Sequence, residues 1–123
     1  MRRDWSPAPE PPPLPHLSGN LVEDVLTLTG YSPHFLSELI GVSRPTIYAW
    51  RRKNPRGKRK DTLPAIARLE ALIYVGRAFY RRGGTVSVQA WLSFPAHDAP
   101  LVLLQREDGA RLLINRANEV AGL

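Results

Sequence analysis

The stretch "LIGVSRPTIYAWRR" occupies residues 39–52. A glycine stands between two short apolar patterns, and basic residues accumulate toward its end. Leu36, Leu39 and Ile40 recur at helical spacing before Gly41, and Ile47 and Trp50 lie three apart after it. Ser32 is placed to cap the first of these helices, with Pro33 at its opening position. Ser43 is placed to cap the second, which runs from Arg44 to about Lys53. Pro45 is tolerated there because first-turn N–H groups have no intrahelical acceptor. Two helices joined by a three-to-four-residue turn containing glycine describe a helix-turn-helix. Gly41 permits the positive φ of the turn. Leu36, Ile40, Val42, Ile47 and Trp50 are expected to hold the crossing. Ser37 falls where the helices approach closest, and a small side chain is needed there.

In this motif the second helix presents its N-terminal residues to base edges in the major groove. Its outward face here consists of Arg44, Pro45, Tyr48, Ala49 and Arg52, the expected base-contacting set. Arg44 leads that set, because a guanidinium fork matches O6 and N7 of guanine. Ser43 and Thr46, near the helix N-terminus, are expected to meet phosphate. Trp50 is read as core, from its spacing to Ile47, and not as a base-stacking residue.

The segment that follows explains the charge. Residues 51–60, "RRKNPRGKRK", hold seven basic side chains and no acid, within a chain of net charge +6. The rest of the molecule is therefore close to neutral, and a concentrated basic block on a neutral body suits a polyanion. Arg51, Lys53, Arg56, Lys58, Arg59 and Lys60 are expected to follow the DNA backbone and raise affinity without reading sequence. A solvated loop is the other reading of this run.

Size and composition set the outer bounds. A chain of 123 residues suits one modest core. It has no cysteine, which excludes disulfides, thiolate zinc sites and cysteine nucleophiles and fits a reducing compartment. No apolar run approaches the ~18 residues of a membrane span. The N-terminus, "MRRDWSPAPEPPP", lacks the apolar centre of a secretory signal. Half of the twelve prolines fall in residues 1–16, which are read as a disordered arm. Arg2, Arg3 and Trp5 lie in that arm; a plain disordered tail is the favoured reading, and contact with DNA or a partner is the alternative.

The remaining elements follow from caps and periodicity. Asn20 with Glu23 fits a capping box for a first helix carrying Leu21, Val25 and Leu28, which Gly30 ends. A long helix begins after Asp61 or Thr62, with Leu63, Ile66, Leu69, Ile73 and Tyr80 on one side. Leu72, Val75 and Phe79 widen its stripe, as in a helix packed on two sides, and Gly83-Gly84 ends it. The stretch "TVSVQAWLSFP", residues 85–95, carries both strand-like alternation and helical spacing. Helix is the favoured reading, capped at Thr85 or Ser87. "LVLLQ" after Pro100 fits either a helical turn or a strand. A last helix, capped by Asp108, carries Ala110, Leu113, Ile114 and Ala117. The expected fold is all-α. It comprises the arm (1–16), a DNA-binding region (17–62), a connecting helix (63–84) and a C-terminal region (85–123) for dimerisation or partner binding.

These residues also carry a family resemblance. "LSELIGVSRPTIYAWRR" resembles the Xre/lambda-repressor-like helix-turn-helix, through Ser43, Thr46, Ile47 and Trp50. The portion beyond it is similar to the Xre/ParS-type antitoxins, which join this module to a small helical toxin-binding domain. "RLEALIYVGRAFY", "VQAWLSFP" and "EDGARLLINRANEV" follow in that order. Ala90, Trp91, Leu92 and Pro95 approximate its A-x-x-W-L-x-x-P motif, and Gly109, Ala110 and Arg111 its G-A-R segment. The loop "PAHDAP" is shorter than the family's and has no glycine. The resemblance implies a cytoplasmic bacterial homodimer that binds double-stranded DNA and represses its own operon. It also implies a RES-type toxin as partner, contacted through Trp91, Pro95 and Arg111. A free-standing repressor without a toxin, or an interaction adaptor using the helix-turn-helix as scaffold, are the alternatives.

No catalytic constellation is legible. His16, His34 and His97 are scattered and match no metal spacing, and His97-Asp98 are adjacent in a loop. Gly83-Gly84 lacks the lysine of a phosphate loop. The reading is a binding protein without enzymatic activity, metal or cofactor.

Overall fold

The computed structural model describes residues 11–56, 60, 62–94 and 99–121, and among them every regular element is helical. The fold is all-α. In chain order the helices are α1 (Leu21–Thr29), α2 (Pro33–Ile40), α3 (Arg44–Arg52), α4 (Leu63–Gly83), α5 (Thr85–Ser93), α6 (Pro100–Leu103) and α7 (Gly109–Ala121). Arg2, Arg3, Trp5, Asp61 and the His97-Asp98 pair lie outside the described residues.

Helix starts follow the local chemistry. Asn20, Ser32 and Ser43 each accept a hydrogen bond from the backbone N–H three residues on. The capping box at α1 is only half formed. Asn20 Oδ1 accepts from the Glu23 N–H at 2.9 Å, but the Asn20 N–H donates to Ser18 Oγ, leaving the Glu23 carboxylate for another partner. Gly41 ends α2 at φ 80°, and its N–H and that of Val42 both donate to the Ser37 carbonyl.

The longest helix, α4, is the axis of the molecule, packed by α1, α5 and α7 and more lightly by α2. Its central line differs from the expected one. Leu69, Leu72, Val75 and Phe79 are buried, whereas Leu63 is 49% exposed and Ile66, Ile73 and Tyr80 are only half-buried. The residues read as widening the stripe are its centre, because α1 and α7 cover different sides of the helix.

At Gly84 the chain reverses. Its φ of 75° with ψ of −155° lies in a region essentially confined to glycine. Its N–H closes α4 on the Tyr80 carbonyl and its carbonyl accepts from Val88, opening α5. Helix is thereby the outcome for residues 85–93, with Gly84 and not Thr85 or Ser87 at the cap, and with no side-chain cap bond. The run after Pro100 is a single helical turn. Asp108 immediately precedes α7, but its carboxylate accepts from Arg111 at 2.8 Å. That hydrogen bond holds the carboxyl below its ordinary value. The contact is thus present above the ordinary carboxylate range and lost as pH falls through the lowered value.

Gly109 sits where α6 and α7 meet. A Cβ there would lie 2.7 Å from the Leu104 Cα and would also strike the Leu103 carbonyl oxygen. Both obstacles are backbone, so no rotamer change relieves them. Gly109→Ala should therefore destabilise the fold by about 1–3 kcal/mol, the usual range for overpacking. Urea titration followed by circular dichroism measures it, and an unchanged midpoint would show that α6 can retreat without loss.

One continuous core joins the segments. It runs from Val22, Leu36, Ile40 and Ile47 through the α4 line to Val88, Leu92, Leu113 and Ala117. Hydrogen bonds cross the same boundary. Gln89 donates to the Thr29 carbonyl at 2.6 Å, and Gln105 to the Leu39 carbonyl at 3.3 Å. Arg68 of α4 donates to the Ile40 carbonyl at 3.0 Å. Last-turn carbonyls of α2, which a helix cannot satisfy itself, are thus met from later in the chain.

Candidate nucleic-acid interface

Helix α3 turns one face inward and leaves the other bare. Ile47 is fully buried on the core side, while Arg44, Pro45, Tyr48, Ala49 and Arg52 are all exposed. The five expected base-contacting residues thus share the open face of one helix. Trp50 is half-buried, packed against the core edge and not within it.

Two asparagines fix α3 to α1. The Asn20 side-chain amide donates to the Trp50 carbonyl at 2.8 Å. Asn54 Oδ1 accepts from the Leu21 N–H at 2.8 Å, and Asn54 Nδ2 donates to the Gly19 carbonyl at 2.9 Å. Each asparagine therefore serves the open end of the other helix: an unsatisfied last-turn carbonyl of α3 and a first-turn N–H of α1. Each such bond contributes about 0.5–1.5 kcal/mol net. The buried Asp24 carboxylate braces the same corner by accepting from the Ser18 N–H, the Ser18 hydroxyl and the Gly19 N–H.

The basic residues divide into engaged and available. Arg51 Nε donates to Glu23 Oε1 at 2.6 Å, and its guanidinium lies 5.8 Å from the Tyr48 ring centre. Glu23 thus ties α3 to α1 instead of completing its own capping box. Arg52, Lys53, Arg56 and Lys60 are exposed, while Lys58 and Arg59 lie outside the described residues. Arg44 is exposed yet engaged: its Nε donates to His34 Nδ1 at 2.7 Å. His34 Nε2 in turn lies 3.4 Å from Glu38 Oε1. Reaching a base requires Arg44 to leave the His34 ring. Ser43 and Thr46 share a hydroxyl–hydroxyl hydrogen bond of 2.8 Å at the start of α3. Their first structural role is the helix cap.

Of the three residues expected to meet a partner, two lie among the described residues. The Trp91 ring stacks on Phe79 of α4, with centroids 4.6 Å apart and planes 17° from parallel. Arg111 is exposed at the start of α7 and paired with Asp108. Pro95 lies outside the described residues. Among the described residues no three histidine, aspartate or glutamate side chains converge as a metal site requires. His16 is exposed and His34 is bound to Arg44. No helix is long and apolar enough to cross a membrane.

Sequence reasoning missed Asn54 and the second role of Asn20. No local signal exists for either, because their acceptors and donors lie 30 or more positions away in the chain. A scan against family models and a search of the curated proteins each found no match to this chain.

Proposed function

We propose that this chain is a sequence-specific binder of double-stranded DNA that uses α2, the intervening turn and α3 as a helix-turn-helix. The observation that carries the reading is the bare face of α3, where Arg44, Pro45, Tyr48, Ala49 and Arg52 stand exposed on a helix clasped at its far end. That face leads directly into exposed Lys53 and Arg56. A helix anchored to α1 that exposes polar and cationic side chains, continued by cations, matches what base reading followed by phosphate contact demands. The biological role we assign is cytoplasmic transcriptional repression of the protein's own operon as a homodimer. Neutralisation of a RES-type toxin extends this reading through the sequence resemblance alone.

A second reading, a free-standing repressor without toxin, is favoured by one observation. The Trp91 ring is spent on Phe79. A partner then loses the principal aromatic anchor that the resemblance offers it.

Selection of bound duplexes from a random pool, followed by titration of point variants, tests the DNA reading. Arg44→Ala should cost about 1–3 kcal/mol on the selected site and relax preference at one base pair. Arg52→Ala should weaken binding more evenly across sequences. A pool that stays random, or an Arg44→Ala protein with unaltered affinity, would overturn the assignment.

A further inference from the structure

An open groove of about 670 Å³ runs along α4, flanked by Leu21 of α1 and by α7, whose Asn118 Oδ1 accepts a hydrogen bond from the Tyr74 hydroxyl. Leu14 and Leu21 form one wall, and Glu70, Ile73, Tyr74 and Arg77 form the floor. These four floor residues fall at i, i+3, i+4 and i+7, so they share one helix face. Tyr74 is 38% exposed, and Ile73 beside it is half-buried. Glu70 and Arg77 are exposed, and among the described residues neither has an ion-pair partner. Seven positions at 1.5 Å rise set them roughly 10 Å apart along the axis, too far to pair with each other.

The order of these residues is self-complementary. The midpoint between Glu70 and Arg77 is also the midpoint between Ile73 and Tyr74. We propose that this face of α4 pairs with the same face of a second copy, antiparallel about a twofold axis passing between Ile73 and Tyr74. In that arrangement Ile73 meets Tyr74 of the partner subunit, and Glu70 meets Arg77 of the partner subunit, each contact occurring twice. An isologous interface requires a surface that complements itself on rotation. One acid and one base equidistant from an apolar pair meet that requirement, and a ligand of another kind has no need of it. The proposal locates the dimer contact on α4 and not in the C-terminal segment. It is tested without DNA, so its failure leaves the DNA reading standing.

Charge swaps in the full-length protein test the register. Sedimentation equilibrium should show reversible dimerisation of the unaltered chain between 1 and 100 µM. Glu70→Arg or Arg77→Glu alone sets like charges opposite each other at both symmetry-related positions. Each should raise the dimer Kd by about tenfold or more. The double variant restores opposite charges and should return to within about threefold of the original. Far-ultraviolet circular dichroism should be unchanged throughout, since both sites are on the surface. A second measurement does not depend on charge. The chain has no cysteine, so Glu70→Cys and Arg77→Cys proteins, mixed under oxidised glutathione, should cross-link to each other in preference to themselves. A monomer at 100 µM, indifference to the single reversals, failure of the double variant to recover, or equal self-cross-linking would each overturn the proposal.

Discussion

Raising salt from 50 to 200 mM should weaken binding to the selected duplex by about 250- to 1,000-fold. Four to six basic residues meeting phosphates correspond to a slope of log K against log salt of roughly −4 to −5 per protomer. The structure identifies who is available for that role. Arg52, Lys53, Arg56 and Lys60 are exposed, and Arg44 is exposed though held by His34. Arg51 begins with Glu23 as its partner, so its move to phosphate must first give up a 2.6 Å ion pair. Its contribution to the slope should be the smallest of the set. Fluorescence anisotropy at constant pH and stepped potassium chloride measures the slope. A flat dependence would show that residues 51–60 do not lie along the backbone, and the reading of the basic run would revert to a solvated loop.

Phe79→Ala should cost about 3–5 kcal/mol of folding stability. The ring is 2% exposed, stacks on Trp91 and carries the Arg82 guanidinium 4.9 Å from its centre. Truncation leaves a cavity in the main core line and removes both ring contacts at once. Against a total of about 5–15 kcal/mol for a typical domain, that is a large fraction. A melting temperature about 10–20 °C lower should follow in a thermal scan. Phe94→Ala is the matched control. Its ring is 78% exposed, so the change should stay within about 0.5 kcal/mol. Equal effects at the two positions would refute the packing described for α4 and α5.

The core also limits how far function can be separated by truncation. Sequence reasoning assigns DNA reading to the third helix and partner binding to the C-terminal region. Point variants on α3 respect that division. Removal of residues 105–123 does not, because Leu113 and Ala117 are fully buried in the common core and Gln105 holds the end of α2. Such a chain should lose folded structure before it loses any one surface.

Local chemistry made the helix boundaries legible. Asn20, Ser32, Ser43, Gly30 and Gly41 each act within three or four residues of themselves, and each stands where expected. The bare face of α3 was legible for the same reason, since Ile47 dictates by periodicity which side turns inward. The partners of those side chains were not. Glu23 fits a capping box by spacing, yet it pairs with Arg51, which lies 28 positions away. Trp91 matches a family motif, yet its ring meets Phe79. Gly109 reads as part of a short G-A-R segment, and its need for no side chain arises only when α6 folds back against α7. Spacing reports on a helix and its caps. It carries no record of which helix arrives from elsewhere.

The asparagine clasp has a consequence for how such a protein changes over generations. Asn20 and Asn54 grip the Trp50 carbonyl, the Leu21 N–H and the Gly19 carbonyl, all of them main-chain groups. On α3 itself the gripped group is the Trp50 carbonyl, which any amino acid offers. The attachment of the reading helix is therefore blind to what that helix carries on its open face. Pro45, Tyr48, Ala49 and Arg52 are free to be exchanged at little thermodynamic penalty, since exposed substitutions usually change stability by less than about 0.5 kcal/mol, and a change at Arg44 gives up only its surface contact with His34. New target preferences are then accessible by single steps through folded intermediates, with the mount unchanged while the head it carries diversifies.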